Sequence, residues 1–381
     1  MDLVTVLLGI IVILFLVNTF RNQKQGNDKN VPPGPKPLPI IGNIHIMDIG
    51  KPHKTFVQLA KKYGTVFSFR IGMSKSIVLC GYETIKDALI NHAELFSERP
   101  NIPLFTEAIK GHGIVFATGE NWKAMRRFTL STLRDYGMGR RTIEDKITEE
   151  SECLIQKLRS HEGKPFDNVT SIYAAVTNII VSILLSKRFD YEDPTILRLM
   201  GIVNENVKLL SSPWVILYNS FPFLAKLLPG AHKTIFENVK EFENFITRTF
   251  TKHKKELDVN DQRNLIDAFL AKQQEGATVI TLIHSALRDK DYFEKPEEFY
   301  PEHFLDSVGN FRKNEAFIPF SIGKRSCAGE TLAKMEIFLF FTSLLQNFTF
   351  HPPPGAKLDL TPALGSTNAP QPYEICAVSR R

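Results

Sequence analysis

The sequence predicts a mainly α protein with a small β-rich lobe near its start, preceded by one transmembrane helix. Three observations carry that reading. Residues Leu3 to Phe20 (LVTVLLGIIVILFLVNTF) are almost uninterruptedly apolar, close to the roughly 20 residues a helix needs to cross a bilayer. Two neighbouring segments, Val66 to Ile71 and Ser76 to Cys80, alternate apolar and polar residues with the period of a strand. Four long stretches, Arg140 to Ser160, Asp167 to Leu185, Thr195 to Leu210 and Ala231 to Leu257, keep apolar residues at helical spacing with polar opposite faces.

Composition bounds the function. The 381 residues are 43% hydrophobic and 23% charged, globular material long enough to bury a sizeable core. The 47 Lys and Arg against 41 Asp and Glu leave a formal charge of +6, which suits an anionic membrane surface or an acidic protein partner. The basic residues are scattered among acidic ones without a nucleic-acid motif, so nucleic acid is not an expected partner. Cys80, Cys153, Cys327 and Cys376 lie far apart with no CxxC pair. That spacing excludes a disulfide framework and a zinc site, and implies a reducing compartment.

In chain order, residues 1–20 read as an N-terminal membrane anchor. A cleaved secretory peptide is the rival reading, but no basic region precedes the run and no small-residue cleavage pattern follows it. Asp2 lies before the run and Arg21, Lys24 and Lys29 after it, which leaves the remainder in the cytosol. Residues 21–43 form a polar linker that stiffens at Val31 to Pro39 (VPPGPKPLP) into a proline-rich hinge, a composition also compatible with an SH3 ligand.

Residues 44–381 form the main domain. Pro52 to Tyr63 has Phe56, Leu59 and Ala60 at helical spacing, and Tyr82 to His92 has Ile85, Leu89 and Ile90. Pro100 to Phe116, with Phe105 and Phe116, reads as a long loop, either lining a pocket or packing its own aromatics on the core. Thr118 is the expected N-cap of a helix that places Trp122 and Arg126 on one face. Ser212-Pro213 and Pro229-Gly230 break the long helices. After Asn264 to Gln274 the pattern switches abruptly from helical to the strand-like Ala277 to Ile283.

The residues that carry chemistry are Phe320-Ser-Ile-Gly323-Lys-Arg325-Ser-Cys327-Ala-Gly329-Glu330. Gly323 and Gly329 permit a tight turn, and the apolar run Ala328 to Leu345 reads as a helix whose N-terminus, with Arg325, favours Cys327 as a thiolate. A buried cysteine in a capping loop is the bland alternative. The string fits FxxGxRxCxG and continues GETLAKMEIF, which resembles the haem-binding loop of the cytochromes P-450, microsomal family 2 type. The hinge closing at Ile40-Ile-Gly-Asn43 and the Trp122/Arg126 pair are similar to that family too.

The resemblance implies a cytochrome P-450 fold with haem (iron protoporphyrin IX) ligated by Cys327, Phe320 against the ligand side of the porphyrin, and Arg325, Trp122 and Arg126 pairing with its propionates. It implies a monooxygenase that inserts one atom of O2 into lipophilic small molecules such as xenobiotics, fatty acids or steroids. NADPH would serve indirectly, through a flavoprotein reductase, at the endoplasmic reticulum membrane. Lys123, Arg127, Arg134 and Lys324 are the expected basic face for that acidic reductase.

The chain also departs from the family pattern. It contains no ExxR and no AGxxTT-like run. The resemblance therefore implies that the central helix, with its acid–alcohol pair, and the ExxR helix are missing, with the seam of an internal deletion at Gly276/Ala277. No catalytic residue is assigned for that reason. His303 stands where many members have Arg and lacks both expected partners. A catalytically inactive, membrane-anchored variant, with or without haem, is the alternative function. A cysteine-nucleophile hydrolase is a more distant one, since nothing singles out a general base.

Overall fold

The computed structural model describes residue 9 and residues 31–135, 141–185, 188–256, 278–357, 359–363, 367 and 369–380. Apart from residue 9, the anchor expected at Leu3 to Phe20 lies outside the described residues, and so does the seam expected at Gly276/Ala277. Among the described residues no helix is long and apolar enough to cross a membrane.

The chain runs α1 (Pro52–Tyr63), β1 (Val66–Ile71), β2 (Ser74–Leu79), α2 (Tyr82–Lys86), α3 (Pro103–Ile109), α4 (Gly119–Asp135), α5 (Arg141–Arg159), α6 (Asn168–Leu185), α7 (Pro194–Leu209), α8 (Pro213–Ser220), α9 (Pro222–Ala225), α10 (Ala231–Glu256), β3 (Thr278–Thr281), α11 (Ile283–Ala286), α12 (Glu330–Asn347), β4 (Phe348–His351) and β5 (Cys376–Ser379). It is mainly helical with small sheets, as the patterning requires. Its described parts fall into two compact units, one of residues 31–102, 216–225 and 278–326, the other of residues 103–215, 226–256 and 327–380.

In the first unit, β1 pairs antiparallel with β2, and β3 joins β2 in parallel with Ser76 opposite Thr278. The alternation of β1 buries Phe67 and Phe69 against Phe56 of α1 and Val78 of β2. The proline hinge is fastened to this sheet. Asn43, almost fully buried, receives the Arg70 N–H on Oδ1 at 2.8 Å, donates its own N–H to the Arg70 carbonyl at 2.7 Å and donates Nδ2 to the Pro35 carbonyl at 3.2 Å. Gly42 has φ +63°, and a Cβ there would stand 2.6 Å from the Arg70 carbonyl oxygen, so only glycine fits. The helix expected over Tyr82 to His92 is divided: α2 passes into a π-helical turn at Asp87–Asn91, closed by the His92 N–H donating to the Asp87 carbonyl at 3.1 Å.

His303 is better held than its isolation in the motif suggested. Its Nε2 accepts the Lys295 N–H at 2.9 Å, and its ring meets Phe293 and Tyr300 edge-on. It braces the loop it belongs to.

In the second unit, α5 packs on α6, α12 and β5, around Ile143, Ile147, Leu154, Leu158, Ile179 and Phe348. Each of these helices starts within a residue or two of the expected boundary. α7 has Asp193 as N-cap, accepting the Thr195 N–H at 2.7 Å, with Pro194 in the first turn. The loop expected over Pro100 to Phe116 is corrected: α3 forms there because Leu104 and Ala108, four apart, bury one face. Phe105 of α3 stacks on Phe116 at 3.8 Å, so this segment packs its own aromatics. Glu150 is buried and fully used, accepting from Tyr191 Oη at 2.6 Å, Arg188 Nε at 2.8 Å and Asn178 Nδ2 at 3.3 Å. Burial and then the bond to this carboxylate push the Tyr191 hydroxyl far above its ordinary pKa.

Glu336 of α12 is the contrast. It is 7% exposed, and its Oε1 has no hydrogen-bond partner among the described residues. Burial pushes its pKa from 4.5 up to about 7. The folded state therefore holds the proton where the unfolded chain has lost it. Stability from this group is intact below about pH 4.5, falls as the pH rises to about 7 and is level above that, a loss of roughly 3 kcal/mol. Glu336→Gln should remove this component. In urea titrations from pH 4.5 to 8, the variant should gain on the parent as the pH rises; parallel pH profiles would contradict the assignment.

Candidate functional site

In the first unit the loop that carries Phe320, Gly323 and Arg325 is seated by its own backbone. The Ser326 N–H donates to the Gly323 carbonyl at 3.1 Å, and Ser321 and Gly323 have φ of +60° and +79°. A Cβ on Gly323 would stand 2.1 Å from the Leu89 carbonyl oxygen. Lys324 pairs with Glu94, and Arg325 Nε donates to the Ser97 carbonyl at 2.5 Å. The loop is thus held at three points along residues 89–97, which begin inside the π-helical turn. Gly323→Ala combines a left-handed backbone with a backbone collision and should cost more than about 2 kcal/mol of local stability. Hydrogen exchange should rise at residues 320–326 and 89–97 together; unchanged exchange in the variant would mean that this seat does not position the loop.

In the second unit Cys327 stands two residues before Gly329, the N-cap of α12. The helix opens at Glu330, two residues later than the expected Ala328, and the Gly329 carbonyl accepts the Ala333 N–H at 2.9 Å. Unlike Gly323, Gly329 has φ −95° and a Cβ there would stand 3.9 Å from Cys327 Sγ, ordinary contact, so the tight turn expected of both glycines rests on Gly323. All four cysteines are free thiols, and only Cys327 is exposed. Cys80 lies in the core, where burial pushes its pKa up to about 11; burial raises the pKa of Cys153 as well, and Cys376 is buried. Accessibility thus singles out the cysteine that the motif singled out.

Also in the second unit, α4 carries Trp122 and Arg126. The Trp122 N–H donates to the Thr118 carbonyl at 3.3 Å in the first turn; the indole is buried, and Arg126 is half-buried four residues further on. Lys123 pairs with Glu120 at 2.6 Å, while Arg127 and Arg134 are exposed. Sequence reasoning placed every one of these residues on its element. It missed Leu89, Glu94 and Ser97, because contacts reaching some 230 residues along the chain leave no local pattern.

A loop with an exposed cysteine ahead of a long helix, on a mainly helical scaffold with small sheets, suggests a class, and comparison with known proteins identifies it. The family model Cytochrome P450 matches residues 32–278 and 273–377, and the chain belongs to that family. Among its relatives, Cytochrome P450 2C29 of Mus musculus is 35% identical over 493 aligned positions, covering 99% of this chain and 100% of the relative. Cytochrome P450 2C14 of Oryctolagus cuniculus is 35% identical over 480 positions, covering 97% and 98%. Cytochrome P450 2F2 of Rattus norvegicus is 34% identical over 483 positions, with the same coverage. An alignment of 493 positions against 381 residues leaves at least 112 positions of the first relative without a counterpart here.

The family implies haem, and the donor chemistry fits it. An exposed thiol is a suitable soft ligand for iron, and the guanidinium groups of Arg325 and Arg126 and the indole N–H of Trp122 are donors that suit carboxylates.

Proposed function

We propose that this chain is a haem-thiolate protein of the endoplasmic reticulum membrane, with Cys327 as the axial iron ligand. The accessibility of Cys327 alone among four thiols is the observation that carries the reading. Arg325, Trp122 and Arg126 hold the propionates, Phe320 supplies apolar cover, and Gly323 and Gly329 keep the backbone close. When bound, the haem supplies the family's oxygen chemistry, insertion of one oxygen atom of O2 into a lipophilic small molecule. Leu3 to Phe20 anchors the chain, with residues 21–43 as linker and hinge and residues 44–381 as the haem domain in the cytosol. The exposed Leu38, Ile40, Ile41 and Met73 beside the hinge support contact of this region with lipid.

NADPH-derived electrons arrive through a flavoprotein reductase. Arg127 and Arg134 on α4 form the docking rim in this reading, with Lys123 and Lys324 lesser contributors because Glu120 and Glu94 already pair with them. Reversing Arg127 and Arg134 to Glu should slow association with the reductase about tenfold at low salt and flatten its salt dependence. An unchanged rate would mark them as ordinary solvated charges.

A second reading concerns turnover. We infer that this shortened chain has little monooxygenase activity, with the deletion seam at Gly276/Ala277. It is supported by the 112 unmatched positions, by the break in the family match at residues 273–278, and by the missing acid–alcohol and ExxR residues. The reduced, haem-loaded protein under carbon monoxide tests the first reading: a thiolate-ligated spectrum is expected, and its absence from loaded protein overturns the ligand assignment. Product counted against NADPH consumed tests the second.

A further inference from the structure

Within the first unit, α2 is fixed at its start. The Gly81 N–H donates to Ser285 Oγ at 2.9 Å, the Tyr82 N–H donates to Asp289 Oδ2 at 3.1 Å, and Tyr82 and Ile85 are buried. The seat of the cysteine loop follows further along the same stretch. Leu89, Glu94 and Ser97 receive three consecutive residues, Gly323, Lys324 and Arg325, the last of them two positions before Cys327. Base and seat are joined by the π-helical turn Asp87–Asn91. Such a turn holds one residue more than an α-helical turn, and one residue is worth about 100° around a helix axis. The extra residue therefore decides how the chain from Leu89 onward faces. The contact at Leu89 leaves no slack: a Cβ on Gly323 would stand 2.1 Å from its carbonyl oxygen and 3.2 Å from its Cβ. Asp87 closes the turn, its carbonyl accepting the His92 N–H at 3.1 Å and its Oδ1 accepting Asn91 Nδ2 at 2.8 Å.

We propose that the extra residue of this turn is a register device that places the cysteine loop, with Leu89, Glu94 and Ser97 as positioning residues for Cys327. The proposal rests on the reading of Cys327 as the iron ligand. Leu89 sets the height of the loop at Gly323, and Glu94 holds Lys324. Ser97, bonded to Arg325 Nε, fixes the plane of the guanidinium that meets a propionate in that reading. Ser326, whose N–H is bonded back to the Gly323 carbonyl, carries the placement on to Cys327 through the chain. An α-helical turn in place of the π turn would keep the base and lose all three contacts together.

The test uses the full haem-loaded chain in lipid nanodiscs. Deleting Asn91, which is exposed, should restore α-helical periodicity and rotate residues 92–97 off the loop. Under carbon monoxide, the thiolate-ligated share of the reduced haem should then fall about tenfold. Hydrogen exchange should rise jointly at residues 320–326 and 89–97, while α1, β1 and β2 keep the parent's protection. Asn91→Ala removes the side chain but keeps the register, so it should retain the parent's spectrum and exchange. A deletion variant with the parent's spectrum and exchange overturns the proposal, and so does an Asn91→Ala variant that loses as much as the deletion. Should the deletion variant not fold, a charge exchange decides. Glu94→Lys should lower the thiolate share about threefold, the scale of an exposed ion pair, and adding Lys324→Glu should restore it; a single change without effect, or a pair without restoration, overturns the proposal. A parent that shows no thiolate spectrum refutes the ligand reading instead, and the exchange of the deletion variant against Asn91→Ala then decides the register by itself.

Discussion

Cys327→Ala is expected to abolish the thiolate spectrum of the haem-loaded protein completely, while Cys80→Ala, Cys153→Ala and Cys376→Ala leave it in place. A thiol binds iron as its thiolate, and Cys80 is held protonated by burial with a pKa near 11. Cys153 is shifted the same way, and Cys376 is buried. Cys327 is exposed, between the seated loop of residues 320–326 and the start of α12. Because the Gly323, Lys324 and Arg325 contacts do not involve the sulfur, the variant should keep its fold. Far-UV circular dichroism and exchange at residues 320–326 should match the parent, so a lost spectrum reads as a lost ligand. A thiolate spectrum persisting in Cys327→Ala would transfer the assignment to another cysteine.

What was legible in the sequence follows from what is local. Helical spacing located α5, α6, α7 and α10 because apolar residues recur at the helical period, although α10 buries only His232, Ile235 and Asn238 among its described side chains, and strand alternation located β1 and β2 because Phe67 and Phe69 face one side. The family motif points to Cys327, Arg325, Trp122 and Arg126 without any knowledge of their neighbours, and the structure adds that Cys327 is the exposed one of the four thiols. The misreadings lie where burial is sparse or distant. α3 forms where the sequence predicts a loop, because seven residues with two buried positions do not make a visible period. The π-helical turn at Asp87–Asn91 went unseen because one extra residue in a turn does not disturb the apolar pattern. His303 lacks the expected ExxR partners, and the neighbours it does have, the Lys295 N–H and the rings of Phe293 and Tyr300, leave no signature in a sequence. Glu336 sits inside an apolar run, and nothing local says that it points inward.

Inserting into the chain, at the proposed seam between Gly276 and Ala277, the segment that Cytochrome P450 2C29 has and this chain lacks should raise coupled turnover by at least a hundredfold. The parent chain should sit near background. Proton delivery to a bound oxidant requires a positioned acid, and general acid–base groups contribute about a hundredfold to ten-thousandfold. The present sequence has neither the acid–alcohol run nor ExxR. Support for the site is the second term. Loop residues 320–326 are seated on residues 89–97, but nothing comparable among the described contacts fixes the exposed Cys327 thiol, and a ligand not held by its surroundings loses geometry and rate. The third term is cover: Ile337, Phe338 and Phe341, exposed on α12, should become protected in the restored chain, and its solubility should improve. The three terms separate experimentally. Restoration with the acid replaced by Ala should recover protection and haem retention without turnover, whereas full restoration recovers all of them. Coupled turnover of the unmodified 381-residue chain near that of the relative would show that the shortened protein completes its site in another way.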